Sequence, residues 1–424
     1  MGLDLKDKIN QIIDLAERND YKINTSIVID ILKDREEQIG DDQIDSVIRE
    51  LKRQGIALIP EADEGYSADE ADLEAFIPAE VNISQKPITV YSLMERLANN
   101  EIDLKPSFQR QGGLWSMEEQ SRLIESLMLK IPIPAFYFNA SDEDKWIVID
   151  GLQRLTAFQN YLVGSGDDCN GEKKTLTGLQ YLKDFNGLTF DDLPRQYIRR
   201  IKETALIAFT VEKGTPDEVV FNIFQRINTG GVQLNPQEIR QALYQGSVTR
   251  LIQRMAESEE FLTATQGAIS TERMLDREYA LRFLAFTLLD YKKEYKGNID
   301  NFLIKAMKLV NTYDEKQLER IEESFKRIMV YCNHIFGKYA FRRVSEQGRR
   351  GRVNKAIFEM WSVCFSELNE QQMYNLIAKR KAFLERFALL QKDREFIADL
   401  RSGKQTSAVR RIDMARNLVK EFIC

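Results

Sequence analysis

The chain has 424 residues, of which 43% are apolar and 30% charged, with nine prolines and a net charge of −6, a balance that describes two or three helix-rich folded domains with a substantial core. No apolar run approaches the roughly 20 residues of a bilayer-spanning helix, and the opening MGLDLKDKIN has neither a basic n-region nor an apolar stretch, so a cytoplasmic chain with no membrane partner is expected. A single histidine, His334, and four cysteines without CxxC spacing (Cys169, Cys332, Cys364, Cys424) exclude HExxH zinc sites, zinc ribbons and the paired histidines of an HNH-type nuclease.

The first 60 residues read as three short helices and a strand. Leu5, Ile9, Ile12, Ile13 and Ala16 recur at helical spacing. Thr25 is placed to cap a second helix through Ile27, Val28, Ile31 and Leu32. Asp41 or Asp42 is placed to cap a third through Ile44, Val47, Ile48 and Leu51, after which GIALIP reads as a strand. Residues 61–81 read as an acidic linker, since positions 61–80 alone hold eight acids and no base. Residues 1–80 carry 21 acidic against 9 basic side chains, a balance of −12, while the remaining 344 residues carry 45 against 51, a balance of +6. That acidity argues against direct contact between the head and DNA. The stretches DKINQIIDLAERNDYKINTSIVIDIL and IGDDQIDSVIRELKRQGIALIPEADE make the head resemble the N-terminal autoinhibitory region of bacterial primary sigma factors. The resemblance implies a compact acidic domain that mimics DNA and docks on a protein partner.

Residues 82–246 show mixed periodicity. ITVYSLMERLANNEI suggests a strand and a helix, and SMEEQSRLIESLMLK an amphipathic helix with Ser116 as cap and Glu119 closing a capping box. IPIPAFYFNA and KWIVID read as neighbouring strands across a polar turn. A second strand and helix follow in ETALIAFTVE and TPDEVVFNIFQRIN, with Thr215 as cap and Pro216 at the first helical position. Asn235-Pro236-Gln237-Glu238 is a further helix start, so Asn235 and Glu238 have structural roles.

WIVIDGLQRLTAF places Asp150, Gly151, Gln153 and Arg154 where a strand hands over to a helix. With Leu152, Leu155, Phe158 and Leu162 on the core face, Gln153 and Arg154 are expected to lie away from it. A helix N-terminus favours an anion. Gly151 lets backbone approach closely, Arg154 can fork onto phosphate oxygens, and Asp150 can hold a magnesium ion or position water. Taken alone, the same residues equally make a solvated turn.

Two further stretches bear on that choice. PSFQRQGGLWSMEEQSRLIESLMLKIPIPAFYF and FNIFQRINTGGVQLNPQEIRQALY, with IVIDGLQRLTAF between them, resemble the N-terminal domain family of the GmrSD modification-dependent restriction enzymes. The resemblance implies a ParB/sulfiredoxin-like fold, nucleoside-triphosphate binding and hydrolysis with magnesium, and a role in defence against phage DNA. Carried over by position, Arg110 and Trp115 belong to the first block, Asp150, Gly151, Gln153 and Arg154 to the phosphate-site signature, and Arg226, Asn228, Thr229, Gly230 and Gly231 to the last. Leu152 stands where the usual signature has glutamine. By its residue type alone, Trp115 fits a core or pocket wall better than a stacking platform.

Residues 247–424 have helical period nearly throughout and read as an α-helical lobe. FRRVSEQGRRGRVNKAIFEMW concentrates Arg342, Arg343, Arg349, Arg350, Arg352 and Lys355. Its readings stay open: a loop that contacts a nucleic-acid backbone, or else a solvated loop or an intramolecular partner for the acidic head. RSGKQTS is no Walker motif, because Ala398 occupies the position of the first glycine. The whole reads as an α+β chain: a three-helix acidic head, a ParB/sulfiredoxin-like nucleotide domain and a mainly helical lobe. Its expected function is nucleotide-dependent gating of contact with DNA or a protein partner. The alternative is a non-catalytic, nucleotide-switched regulator whose head binds the transcription machinery.

Overall fold

The computed structural model describes residues 82–104, 115–142, 144–164, 173–227, 234–271, 273–344 and 350–423, with short stretches among the first 59. The chain divides into two compact units. One comprises Met1–Ala71, Ser258–Ile269 and Ser324–Cys424; the other comprises Asp72–Glu257 and Ser270–Glu323. The architecture is α+β, with a small mixed sheet and a helical C-terminal region. No helix among the described residues is long and apolar enough to cross a membrane.

In the head, Ile9, Ile12, Val28, Val47 and Leu51 are buried helical positions, matching the apolar spacing of the sequence. Strand β1 (Lys22–Asn24) pairs in parallel with β2 (Ala57–Ile59). The strand in GIALIP is the expected one, whereas β1 has no signal in the sequence. Three residues offer no alternation to read, and their partner lies over 30 residues away.

The mixed unit is built on a five-stranded sheet: β3 (Ile83–Thr89), β4 (Ile102–Asp103), β5 (Phe136–Asn139), β6 (Trp146–Asp150) and β7 (Ala205–Val211), in the order β3-β7-β5-β6-β4. The β3–β7 and β5–β6 pairs are antiparallel, while β5–β7 and β4–β6 are parallel. Along β7, Leu206, Ala208 and Thr210 are buried while Ala205 and Ile207 face outward, the period of two of a sheet with one covered face. Helices α1 (Val90–Ala98), α2 (Met117–Met128) and α3 (Leu152–Phe158) supply Leu93, Leu97, Ile124, Leu127, Leu155 and Phe158 to the core that also takes Phe136, Phe138 and Val148 from the strands. Helix α4 (Arg195–Glu203) packs on α1 and α2.

Local chemistry sets the helix starts. Ser116 accepts the Glu119 N–H at 3.2 Å while the Glu119 carboxylate accepts the Ser116 N–H at 2.8 Å, the capping box read from the sequence. Helix α5 (Asp217–Ile227) begins without the expected Thr215 cap. The Thr215 hydroxyl instead donates to the Glu212 carbonyl at 3.0 Å and accepts the Asn82 N–H at 3.3 Å, which closes the turn after β7. Helix α6 (Pro236–Leu243) has the predicted box, with Asn235 accepting from Glu238 at 2.8 Å and Glu238 from Asn235 at 2.7 Å.

In the other unit, Trp361 on the helix Lys355–Ser366 is fully buried among the rings of Phe336, Phe365, Phe383 and Phe387. Beside it, Glu359 and Arg411 form an ion pair at 2.6 Å with both side chains 0% exposed. His334 is exposed in the last turn of the helix Glu315–Phe336, where a basic group suits the negative helix end. Cys332 and Cys364 are buried, and burial pushes both thiols well above their ordinary range.

Candidate functional site

Strand β6 ends on Asp150, which a register shift at Tyr137/Phe138 sets opposite Tyr137 of β5. The chain then turns through Gly151, at φ +103°, into α3. Only glycine fits there. The backbone is left-handed, and a Cβ would lie 2.5 Å from the Phe136 ring and 3.3 Å from Nη2 of Arg154.

Arg154 sits in the first turn of α3 and is 8% exposed. Its Nη2 donates to Oδ2 of Asp150 at 2.9 Å, and its Nη1 donates to the carbonyls of Ala135 at 3.2 Å and of Pro134. The guanidinium also lies 4.6 Å from the centre of the Phe136 ring. Burial lowers the pKa of Arg154 and the neighbouring Asp150 opposes that shift. The expectation that Arg154 points away from the core is therefore corrected. The segment Pro134–Phe136 crosses the first turn of α3 and offers the side chain two carbonyls and a ring, acceptors that helical period cannot reveal.

Gln153 faces the first block: its Oε1 accepts the Trp115 N–H at 3.2 Å. The Trp115 carbonyl accepts from Gln120 at 2.9 Å, and Gln120 accepts from Asn160 at 2.9 Å. Sequence reasoning misses Gln120 and Asn160, since amides on amphipathic segments look like ordinary surface residues there. Trp115 is half-buried against the core, as a pocket-wall residue would be. Leu152 also packs partly buried on that core. Helix α5, which carries Arg226 in its last turn, runs beside β6. Gln153 thus ties the Trp115 segment to the start of α3, and α5 packs beside β6.

The same residues are covered by a family match: positions 92–245 fit the model of the GmrSD restriction endonuclease, N-terminal domain. Residues 92–245 form a GmrSD N-terminal domain. The match ties this part of the chain to restriction-system proteins. No curated protein and no solved structure matches the chain.

Within the GmrSD N-terminal domain, Arg226 is exposed, while Arg110, Asn228, Thr229, Gly230 and Gly231 lie outside the described residues. Asn235 and Glu238 have structural partners: Asn235 donates to the Arg273 carbonyl at 2.5 Å, and Arg273 pairs with Glu238 at 3.2 Å. Asp150 is one-third exposed and engaged by Arg154. Among the described residues no three His, Cys, Asp or Glu side chains cluster as a metal cage.

The basic run beyond the GmrSD N-terminal domain contains a pair of antiparallel strands, β8 (Arg342–Val344) and β9 (Arg350–Val353), the two arms of a hairpin whose connecting residues 345–349 lie outside the described residues. Arg342 is 4% exposed, with its guanidinium on the carbonyls of Gly351 at 2.9 Å and Thr265 at 3.2 Å. Lys355 is 5% exposed in the first turn of the next helix. The Arg342 guanidinium ties the two strands together, and both side chains are withdrawn from any external phosphate. Arg343 and Arg352 are half-buried; Arg349 and the side chain of Arg350 lie outside the described residues.

Proposed function

We propose that the GmrSD N-terminal domain binds a nucleoside triphosphate at the C-terminal end of β6, and that the bound nucleotide governs contact with DNA or a protein partner in a restriction system directed at phage DNA. The observation that carries this reading is the junction at Gly151. The glycine there lets the Phe136 ring and Arg154 pack against the turn. That packing sets Asp150 and Gln153 at the start of α3, inside the matched segment, where a helix N-terminus favours a phosphate. Gly151 and Gln153 would touch the phosphates, with Arg110, Arg226 and the Asn228–Gly231 segment as further contacts. Arg154 acts first as a positioning residue, anchored on the Pro134 and Ala135 carbonyls while its other nitrogen holds the Asp150 carboxylate. A bound phosphate would compete with Asp150 for it.

The residues fit magnesium only as a nucleotide-borne ion. One carboxylate, Asp150, with phosphate oxygens and water completes the coordination that magnesium favours in triphosphate sites. Bound in that way, the ion would neutralise phosphate charge. Gln153 and Asp150 are then the groups placed to orient a water for hydrolysis.

Calorimetric titration with the four ribonucleoside triphosphates, with and without magnesium and duplex DNA, tests the reading. Arg154→Ala, checked by circular dichroism to be folded, is expected to bind at least about tenfold more weakly, the lower end of a charge-assisted hydrogen bond. Wild-type affinity in that variant, or no binding by the wild type, overturns the site. A multiple-turnover phosphate-release assay separates hydrolysis from the second reading, a non-catalytic switch whose acidic head docks on the transcription machinery. The −12 balance of residues 1–80 favours that second reading.

A further inference from the structure

Helix α4 carries more positive charge than the fold uses. We infer that its outward stripe, Arg195, Arg199 and Lys202 with Tyr91 beside it, is a contact surface for the phosphate backbone of duplex DNA. The inner side of the helix is committed to packing. Ile201 is fully buried, Tyr197 and Ile198 pack on the core, and Arg200 donates to the Met128 carbonyl at 2.6 Å. The three remaining cations stand at i, i+4 and i+7, which aligns them on one face over about 10 Å of helix.

Their surroundings leave that charge available. Arg195 and Arg199 are exposed, while Lys202 is half-buried, with its ammonium 5.8 Å from the ring centres of both the buried Phe190 and Tyr91, itself 49% exposed. Among the described residues no carboxylate bridges to any of the three. The carboxylates just before the helix are engaged elsewhere: Asp191 grips Lys173 at 2.8 Å, and Asp192 accepts the Thr189 N–H at 3.1 Å and its hydroxyl at 2.6 Å. Some other exposed arginines of this unit find a carboxylate, as Arg254 does with Glu322 at 2.7 Å and Arg122 with Glu118 at 3.5 Å. Arg226, Arg250 and Arg320 find none among the described residues, but none of them belongs to a row of cations at i, i+4 and i+7 on one helix face. On α4 itself only Glu203 offsets the basic charge.

The chemistry selects a polyanion over a protein surface. Protein interfaces have apolar centres, whereas the centre of this stripe is three cations, with one exposed ring, Tyr91, at its side. Duplex DNA presents a phosphate every ~3.4 Å of axis on each strand, so three long cationic side chains across about 10 Å can meet two or three in succession. The Tyr91 hydroxyl adds a neutral donor of the kind that positions phosphates. The stripe also stands apart from the basic hairpin, where Arg342 and Lys355 are buried.

This inference rests on the DNA half of the proposed function and not on the nucleotide half, and its test keeps the two apart. Full-length protein is titrated against a labelled duplex of arbitrary sequence by fluorescence anisotropy across a salt series. R195Q/R199Q/K202Q is compared with wild type and with K381Q/K392Q/R394Q, which removes equal charge from exposed positions of the other unit. The stripe variant is expected to bind at least about tenfold more weakly near 0.1 M salt. Its slope of log K against log salt should flatten by about 0.9 for each phosphate that the variant no longer neutralises. The control variant should track the wild type, and nucleotide affinity should be equal in all three. Equal salt slopes in stripe and control variants, or a wild type that does not bind the duplex, overturns the inference. A flattened slope without nucleotide binding upholds the stripe and removes the nucleotide site alone.

Discussion

Gly151 and Arg154 hold each other in place across the first turn of α3. The guanidinium stays where it is because Phe136, Asp150 and two carbonyls enclose it, and the enclosure closes tightly because position 151 has no Cβ. Gly151→Ala combines left-handed backbone strain with a clash against the Phe136 ring that cannot relax freely. A loss of about 2–4 kcal/mol is expected by urea denaturation. Gly187→Ala is the matched control, since it has φ +87° but nothing within 4 Å of its added carbon; it should lose only about 1–2 kcal/mol of backbone strain. Equal losses in the two variants would mean that the Phe136 ring does not constrain the junction. The glycine was legible in the sequence because strand, acid and glycine occur in series. The burial of Arg154 was not, because its acceptors are backbone carbonyls of a segment some twenty residues earlier.

Secondary structure was most legible where its cause is local. Ser116 with Glu119, and Asn235 with Glu238, announce their helices three residues apart, and both boxes are present. Thr215 misled because its hydroxyl had a better use across the sheet end, on Asn82 and Glu212. Interactions between distant segments left no such trace. The carboxylate of Glu125 on α2 accepts the N–H groups of Gln180, Tyr181 and Leu182 at 2.8–3.0 Å, pinning a loop more than fifty residues away. Burial pushes its carboxyl up, but those N–H groups outweigh burial and hold it below its ordinary range. Glu212 does the same for the edge of the sheet: Lys86, then Ser84 and Thr210, lower it from 4.5 to about 2. A carboxyl lowered on folding stabilises the fold above its unfolded value and loses that contribution as pH falls toward its folded value. The Glu212 contribution should therefore be complete at neutral pH and fade between about pH 4.5 and pH 2. Glu212→Gln should cost about 1–2 kcal/mol at pH 7 after solvent screening and match the wild type at pH 2. Parallel stability curves for the two proteins from pH 7 to pH 2 would show that the Ser84–Lys86–Thr210 cluster does not stabilise the ionised carboxylate.

The charge of the chain is divided as unevenly as its folds. The head, at −12 over residues 1–80, precedes a body at +6, and the head and the basic hairpin belong to the same compact unit. That grouping joins the two ends of the chain. Opposite charge made it one of the readings of the sequence but could not select it, since helical period orders residues within a segment and says nothing of which segments meet. Acidic side chains held over a basic surface compete with phosphates for the same cations, and both interactions weaken as salt screens them. Removing residues 1–80 should therefore raise affinity for duplex DNA most at low salt and steepen the dependence of log K on log salt, measured by anisotropy after circular dichroism has confirmed the fold. Charge reversal at Arg349, Arg350 and Arg352 discriminates between two places for the competition. If the hairpin is the covered surface, reversal should abolish most of the gain from truncation. If the α4 stripe is what the head competes for, reversal should leave the gain intact while R195Q/R199Q/K202Q removes it. Equal binding by full-length and truncated protein at every salt concentration would retire shielding by the head and leave it as a docking module for an external partner.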